Sequence, residues 1–372
     1  MRTSVPPPTL AIPLAMRAIL SEPTPRSEHV QAAAEAGLRY TPDSIRGIRL
    51  ERSGDATVCV GVNGQRVTNQ QKLRRIRSLV IPPAWTDVWI CPHANGHLQV
   101  TARDARGRKQ YRYHPKYRAI RDETKFDRMM AFSEVLPLAR ERVEAHLRLS
   151  GLPRSKVLAT VVWLLERTLI RVGSEEYARA NETFGLTTLL DRHAEVKGAT
   201  VAFAFRGKSG KEHLVTFSDR RLAKIVQRCQ TLPGEQLFQY VDDEGNRQDV
   251  GSSDVNDYLK GIAGPGVTAK DFRTWAGTML AAQALREIGP ARLVRDKKAN
   301  IVQAVDRVAE RLGNTRAVCR QYYIHPVILE AYGRGKVVEL QPKSRVARRR
   351  PSRRLRDSEV AVLDFIQENQ RR

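Results

Sequence analysis

The chain has 372 residues, enough for two domains with tails, and 41% of them are hydrophobic, so a sizeable core is affordable. Lysine plus arginine number 64 against 40 aspartate plus glutamate, a formal charge of +24 that favours a polyanionic partner, most simply DNA or RNA, over a chain whose charge is merely dispersed. No apolar run approaches the ~20 residues that cross a bilayer. The cysteines Cys59, Cys91, Cys229 and Cys319 are too scattered for a zinc cluster or a disulfide framework, and they suit a reducing cytoplasm.

Residues 1–30 read as a flexible leader. Its apolar stretch is cut by Pro6, Pro7, Pro8 and Pro13 and so lacks the unbroken centre of a secretory signal. A short helix is expected from Val30 to Ala36. Between residues 31 and 115 the pattern becomes short alternating runs separated by turn residues, which implies a small, mainly antiparallel β domain. Ile48–Arg52, Thr57–Val62 before Asn63-Gly64, Val88–Ile90 before Asn95-Gly96, and His97–Ala102 are its strands, with a helix over Gln71–Leu79.

The next run, Lys109-Gln110-Tyr111-Arg112-Tyr113, alternates bases with aromatics. On a strand Lys109, Tyr111 and Tyr113 share one face, and Gln110 and Arg112 the other. Such a strand either packs its tyrosines into a core or lies in a DNA groove, with Gln110 reading an adenine edge and the cations holding phosphates.

Residues 116–128 are strongly basic and read as a linker or clamp segment. Helical periodicity then dominates residues 129–340. Met129–Leu147 is one helix, and Ser155–Ile170, nearly apolar all round, is a buried one. Arg171 follows it, as a positioned cation or as a charge complementing the helix dipole. Val201, Phe203 and Phe205 alternate with Ala202, Ala204 and Arg206, and Glu212–Phe217 returns, making a hairpin whose turn is Gly207-Lys208-Ser209-Gly210-Lys211. Ala202 stands where a phosphate-binding Walker loop needs glycine, so no ATP site is inferred, and Lys208 and Lys211 on their own evidence are solvated turn residues.

Helices are expected over Asp219–Gln230, Val255–Ile262, Thr268–Ile288 and Asn300–Leu312, with Arg273 one turn into the third, where backbone N–H groups favour an anion. Gly313-Asn314 then reads as a helix start, the Asn side chain accepting from a free N–H, and leads to the pair Tyr322-Tyr323. A tyrosine hydroxyl, with a pKa near 10, attacks well only where cations stabilise its phenolate. Residues 341–372 form a basic tail with eight Lys or Arg and no acid over 343–356, and a short helix follows over Glu359–Gln367.

Leu169-Ile170-Arg171-Val172-Gly173, Phe205-Arg206-Gly207-Lys208-Ser209, Lys270-Asp271-Phe272-Arg273-Thr274 and Gly313-Asn314-Thr315 occur in that order, with Tyr323 nine residues after Asn314. In this set the chain resembles the type IB DNA topoisomerases of bacteria and poxviruses over about residues 40–335. The resemblance implies an α+β protein whose β-rich N-terminal domain and helical catalytic domain, with its hairpin, form a clamp on double-stranded DNA. It implies a monomeric enzyme, cytoplasmic and nucleoid-associated, that relaxes supercoils without ATP, nucleotide cofactor, metal or membrane.

Tyr323 would attack a backbone phosphorus to give a 3′-phosphotyrosine. Lys208 would protonate the leaving 5′-oxygen, Arg171 and Arg273 would clamp the phosphate, and Asn314 would bond a non-bridging oxygen. Gly107–Tyr113 likewise resembles the family's DNA-contacting strand. Many relatives place His where Asn314 stands, and Asn does not titrate, which leaves protons to Lys208 and Arg171. A tyrosine recombinase or integrase is the nearest alternative. Those enzymes usually carry His three residues before the second Arg, where Lys270 stands, and a helical N-terminal domain. A DNA-binding protein without enzymatic activity is the third.

Overall fold

The computed structural model describes residues 25–53, 56–105, 107–242, 244–339 and 355–370. Most of the expected leader and of the basic run in the tail lies outside the described residues. The chain forms two compact units, one within residues 22–127 and one within residues 128–372.

The first unit holds five antiparallel strands, β1 (Ile48–Ser53), β2 (Ala56–Val60), β3 (Thr86–Ile90), β4 (Leu98–Arg103) and β5 (Lys109–Tyr113), in the order β2-β1-β3-β4-β5. The strand β4 is buried along nearly its whole length, and β5 is an edge paired with it through Thr101 opposite Tyr111. Asn69 caps the helix Gln70–Ser78, its Oδ1 accepting from Lys72 N at 2.9 Å. That helix buries Ile76 with Ile48, Val88, Ile90, Val100 and Ala102. The expected helix at Val30 begins earlier and spans Pro25–Glu35.

The basic segment 116–128 is helical. It is the front of one 33-residue helix, Pro115–Leu147. Proline suits a first helical position, the His114 ring accepts from Lys116 N at 3.2 Å, and Lys, Arg, Ala and Glu are strong helix formers whatever their charge.

The second unit is mainly helical. Its buried centre is the helix Arg154–Thr168, where Val157, Leu158, Val161, Leu164 and Leu165 have no more than trace exposure. The buried hydroxyls of Thr160 and Thr168 bond carbonyls one turn back, at 2.9 and 2.6 Å, so they cost little inside the core. Around it pack Arg220–Gln230, Ser252–Ala263 and Ala269–Ile288, and Val294–Leu312 packs on the last of these. The hairpin stands as expected, β7 (Thr200–Arg206) pairing with β8 (Glu212–Ser218), and buries Phe203 and Phe205. A third strand, β6 (Ala194–Lys197), joins β7. Its four residues carry too weak an alternation to stand out beforehand. The last helix runs Asp357–Gln370, longer than expected at both ends. Among the described residues no helix is long and apolar enough to cross a membrane.

Candidate active site

Arg171 does not lie on a helix. The buried helix ends at Thr168, Leu169 caps it in the left-handed region (φ 60°), and the chain continues outside helix and strand through Arg171. The Arg171 carbonyl accepts from Leu186 N at 2.9 Å and the Val172 carbonyl from Thr187 N at 2.7 Å. Gly185 permits this approach, since a Cβ there would lie 2.6 Å from the Arg171 oxygen. With its backbone fixed, Arg171 donates from Nη2 to Asn314 Oδ1 and, at 3.4 Å, to the Gly313 carbonyl. Burial, and then the neighbouring Arg273, push its pKa down to about 10.

Arg273 stands in the helix Ala269–Ile288, whose start is closed by Thr268 and Asp271, Thr268 N donating to Asp271 Oδ2 at 2.8 Å. Its side chain is only 4% exposed at the residue level. It donates to two carbonyls at helix ends, Leu169 O from Nη1 and Leu312 O from Nη2, the latter at 2.7 Å, where helix dipoles concentrate negative charge. The guanidinium lies 5.4 Å from the centre of the Tyr323 ring.

Asn314 is not a helix cap. Thr315 caps the helix Arg316–Tyr322, its Oγ1 accepting from Val318 N at 3.4 Å. The Asn314 oxygen is taken instead by Arg171, a charge-assisted bond stronger than a neutral cap. Tyr323 sits just past that helix, with its carbonyl accepting from Thr278 Oγ1 at 3.4 Å. Its backbone lies so near Gly277 that a Cβ there would meet Tyr323 O at 2.4 Å.

Arg171, Arg273, Asn314 and Tyr323 thus converge from four segments. Lys208 does not join them by contact. It is exposed and has no hydrogen-bond or ionic partner among the described residues. Its turn is nonetheless close, because Lys211 Nζ donates to the Asn314 carbonyl at 3.3 Å.

Among the described residues, two buried side-chain donors lack a partner, Arg273 Nε and Asn314 Nδ2, and both are here. The Cys319 thiol neighbours that amide, but it is a weak acceptor and leaves Nδ2 unpaired. A site with two guanidiniums, a spare amide N–H and a phenol suits a tetrahedral oxyanion bonded through the phenol oxygen. No three His, Cys, Asp or Glu side chains among the described residues group as metal ligands.

On β5, Tyr111 and Tyr113 share a face, stacked at 6.2 Å and 7°. Tyr111 is 48% exposed, whereas Tyr113 is half-buried. Lys109 pairs with Asp43 at 2.6 Å and Gln110 donates to Asp104 at 2.9 Å, so both polar groups are already engaged. Sequence reasoning missed Gly185, Gly277 and His213. Their signal is spatial, a missing Cβ or a ring wedged between distant segments, and no motif encodes it.

Residues 114–346 match the family described as eukaryotic DNA topoisomerase I, catalytic core, and residues 60–104 match the bacterial DNA topoisomerase IB N-terminal domain. DNA topoisomerase 1B of Acanthamoeba polyphaga mimivirus is 30% identical over 295 residues, covering 77% of this chain and 88% of that protein. DNA topoisomerase 1B of vaccinia virus (strain Copenhagen) is 24% identical over 267 residues, 68% of this chain and 80% of its own. DNA topoisomerase 1 of Mycosarcoma maydis is 26% identical over 172 residues, 41% of this chain but 17% of that longer protein. With the catalytic-core match spanning more than half its length, the chain belongs to the type IB DNA topoisomerase family.

Proposed function

We propose that this topoisomerase relaxes duplex DNA through Tyr323. The phenol oxygen bonds a backbone phosphorus, the P–O5′ bond breaks, and a 3′-phosphotyrosine remains beside a free 5′-hydroxyl. Lys208 protonates the leaving oxygen, because an alkoxide departs poorly, and positioned proton transfer supplies about 10²–10⁴-fold. The phenol proton leaves towards solvent, eased by Arg171 and Arg273, which stabilise the phenolate and then the charged phosphorane. Asn314 Nδ2 and Arg273 Nε fill their missing hydrogen bonds on non-bridging oxygens. Fixed cations take the part a divalent ion plays elsewhere, and the phosphotyrosine conserves bond energy for religation without ATP.

The observation that carries this reading is the pair of buried donors that lack a partner, Arg273 Nε beside the Tyr323 ring and Asn314 Nδ2 beside Arg171. Lys208, solvated in the free protein, would reach the phosphate when DNA binds. Tyr111 and Tyr113 would contact the duplex, with Lys109 and Gln110 exchanging Asp43 and Asp104 for phosphate and base. A β-rich domain over residues 31–115 and a catalytic domain over 129–340 would then clamp one duplex as a monomer. The test is relaxation of a supercoiled plasmid with EDTA and no nucleotide. Wild type relaxes it, and Tyr323→Phe binds DNA but does not relax it. Relaxation by the phenylalanine variant would refute the assignment.

A further inference from the structure

His213, on β8, is used by none of these steps, yet it sits where two parts of the site meet. Gly207 opens the turn that carries Lys208, and Gly313 ends the helix Val294–Leu312 immediately before Asn314. A Cβ on Gly207 would lie 2.4 Å from His213 Cδ2, and a Cβ on Gly313 would lie 2.7 Å from His213 Cε1. Both segments therefore rest on one imidazole. The ring's own support is Phe205, stacked on it at 5.1 Å and 11°.

We infer that His213 is a positioning residue whose ring seats the Lys208 turn against the Gly313-Asn314 corner, and so sets where the Lys208 ammonium meets the scissile phosphate. This rests on the role proposed for Lys208. The groups facing the ring are Arg171, Arg273, Lys211 and Glu212, three cations to one acid, and with burial they hold its pKa below the usual histidine value. The ring is therefore neutral at pH 7. Protonation would place a fourth cation among three and press the turn away from the corner. Cleavage should then lose rate only on the acid side of the ordinary histidine range, and that acid limb should belong to His213.

The experiment is single-turnover cleavage of a short duplex by the full chain from pH 5 to 8, alongside duplex affinity. His213→Ala empties the wedge, and at pH 7.5 cleavage should fall about 10–100-fold with duplex affinity unchanged. His213→Phe keeps a ring that stacks on Phe205 but cannot titrate. It should restore most of the lost rate and abolish the acid limb. A wild-type rate in the alanine variant, or an acid limb that persists in the phenylalanine variant, overturns the inference. Neither outcome touches the assignment of Tyr323, which fails only if Tyr323→Phe still cleaves.

Discussion

Gly277→Ala tests whether the position of Tyr323 is set by close backbone packing. The added Cβ would stand 2.4 Å from Tyr323 O and 3.0 Å from Tyr323 Cβ, where ordinary contact begins at 3.4 Å. Both partners are backbone or Cβ, so no flexible side-chain end can yield, and Tyr323 must retreat by about 1 Å. A displacement of that size costs about 100-fold in a reaction that depends on alignment. Stability should fall by no more than about 2 kcal/mol, because the roughly 1 kcal/mol gained by replacing a helical glycine offsets part of an overpacking cost of about 1–3 kcal/mol. The assay is formation of the covalent protein–DNA adduct on a short duplex under single turnover, beside thermal denaturation. Gly261→Ala is the control, since nothing lies within 4 Å of its Cβ. A wild-type cleavage rate in Gly277→Ala would show that this approach does not place the reacting oxygen.

Three further outcomes follow from the same geometry. Lys208→Ala should slow cleavage by about 10²–10⁴-fold, whereas Lys211→Ala, which loses only a 3.3 Å bond to the Asn314 carbonyl, should cost far less; equal single-turnover losses would undo the division between the two lysines. Asn314→Ala should slow cleavage modestly and Asn314→His should retain it, so an inactive but folded histidine variant counts against a charge-stabilising role. In the first unit His97 is 4% exposed, accepts from Thr41 N at 2.9 Å, and has its pKa lowered from 6.5 to about 4, by burial and then by His29. The folded state thus binds fewer protons than the unfolded one. Stability that is full above pH 6.5 should fall by about 3 kcal/mol as pH drops towards 4. Amide-exchange protection across β4, corrected for intrinsic rates, should report that loss, and His97→Asn should flatten it.

Arg171, Arg273, Asn314 and Tyr323, which the fold brings together, stand out in the sequence because they keep motif neighbours and intervals. The placement of Asn314 was not legible, since Asn314 and Thr315 are both good cap residues, and what decides between them is Arg171, 143 positions away from Asn314. The helix over 116–128 was hidden by its charge, which masks the strong helix propensity of its Lys, Arg, Ala and Glu. Gly277 and Gly185 were silent for a different reason. A glycine in a sequence shows freedom of backbone, while these two act through the absence of a Cβ against a particular distant atom.

Arginine is buried in two ways in the second unit, and the contrast bears on function. Arg140 meets Glu166 and Glu359, at 2.7 and 2.6 Å, and is compensated by carboxylates. Arg171 and Arg273 meet no carboxylate among the described residues; their acceptors are an amide, backbone carbonyls and, for Arg273, the Tyr323 phenol. Partial charges offset part of the several kcal/mol that burying an ion costs, and they leave the net positive charge in place. A carboxylate there would cancel it and compete with phosphate. The site should therefore bind a simple oxyanion and be stabilised by it. Inorganic phosphate at ten times its dissociation constant adds about 1.4 kcal/mol. Phosphate also stabilises proteins generally through exclusion from their surface, so the readout is a difference between variants in thermal denaturation against chloride of equal ionic strength. Arg273→Gln and Arg171→Gln should lose the specific increment, and Arg140→Gln, though less stable, should keep it. Equal phosphate stabilisation in all three would place the anion elsewhere and leave the two carbonyl-held arginines without the part assigned to them.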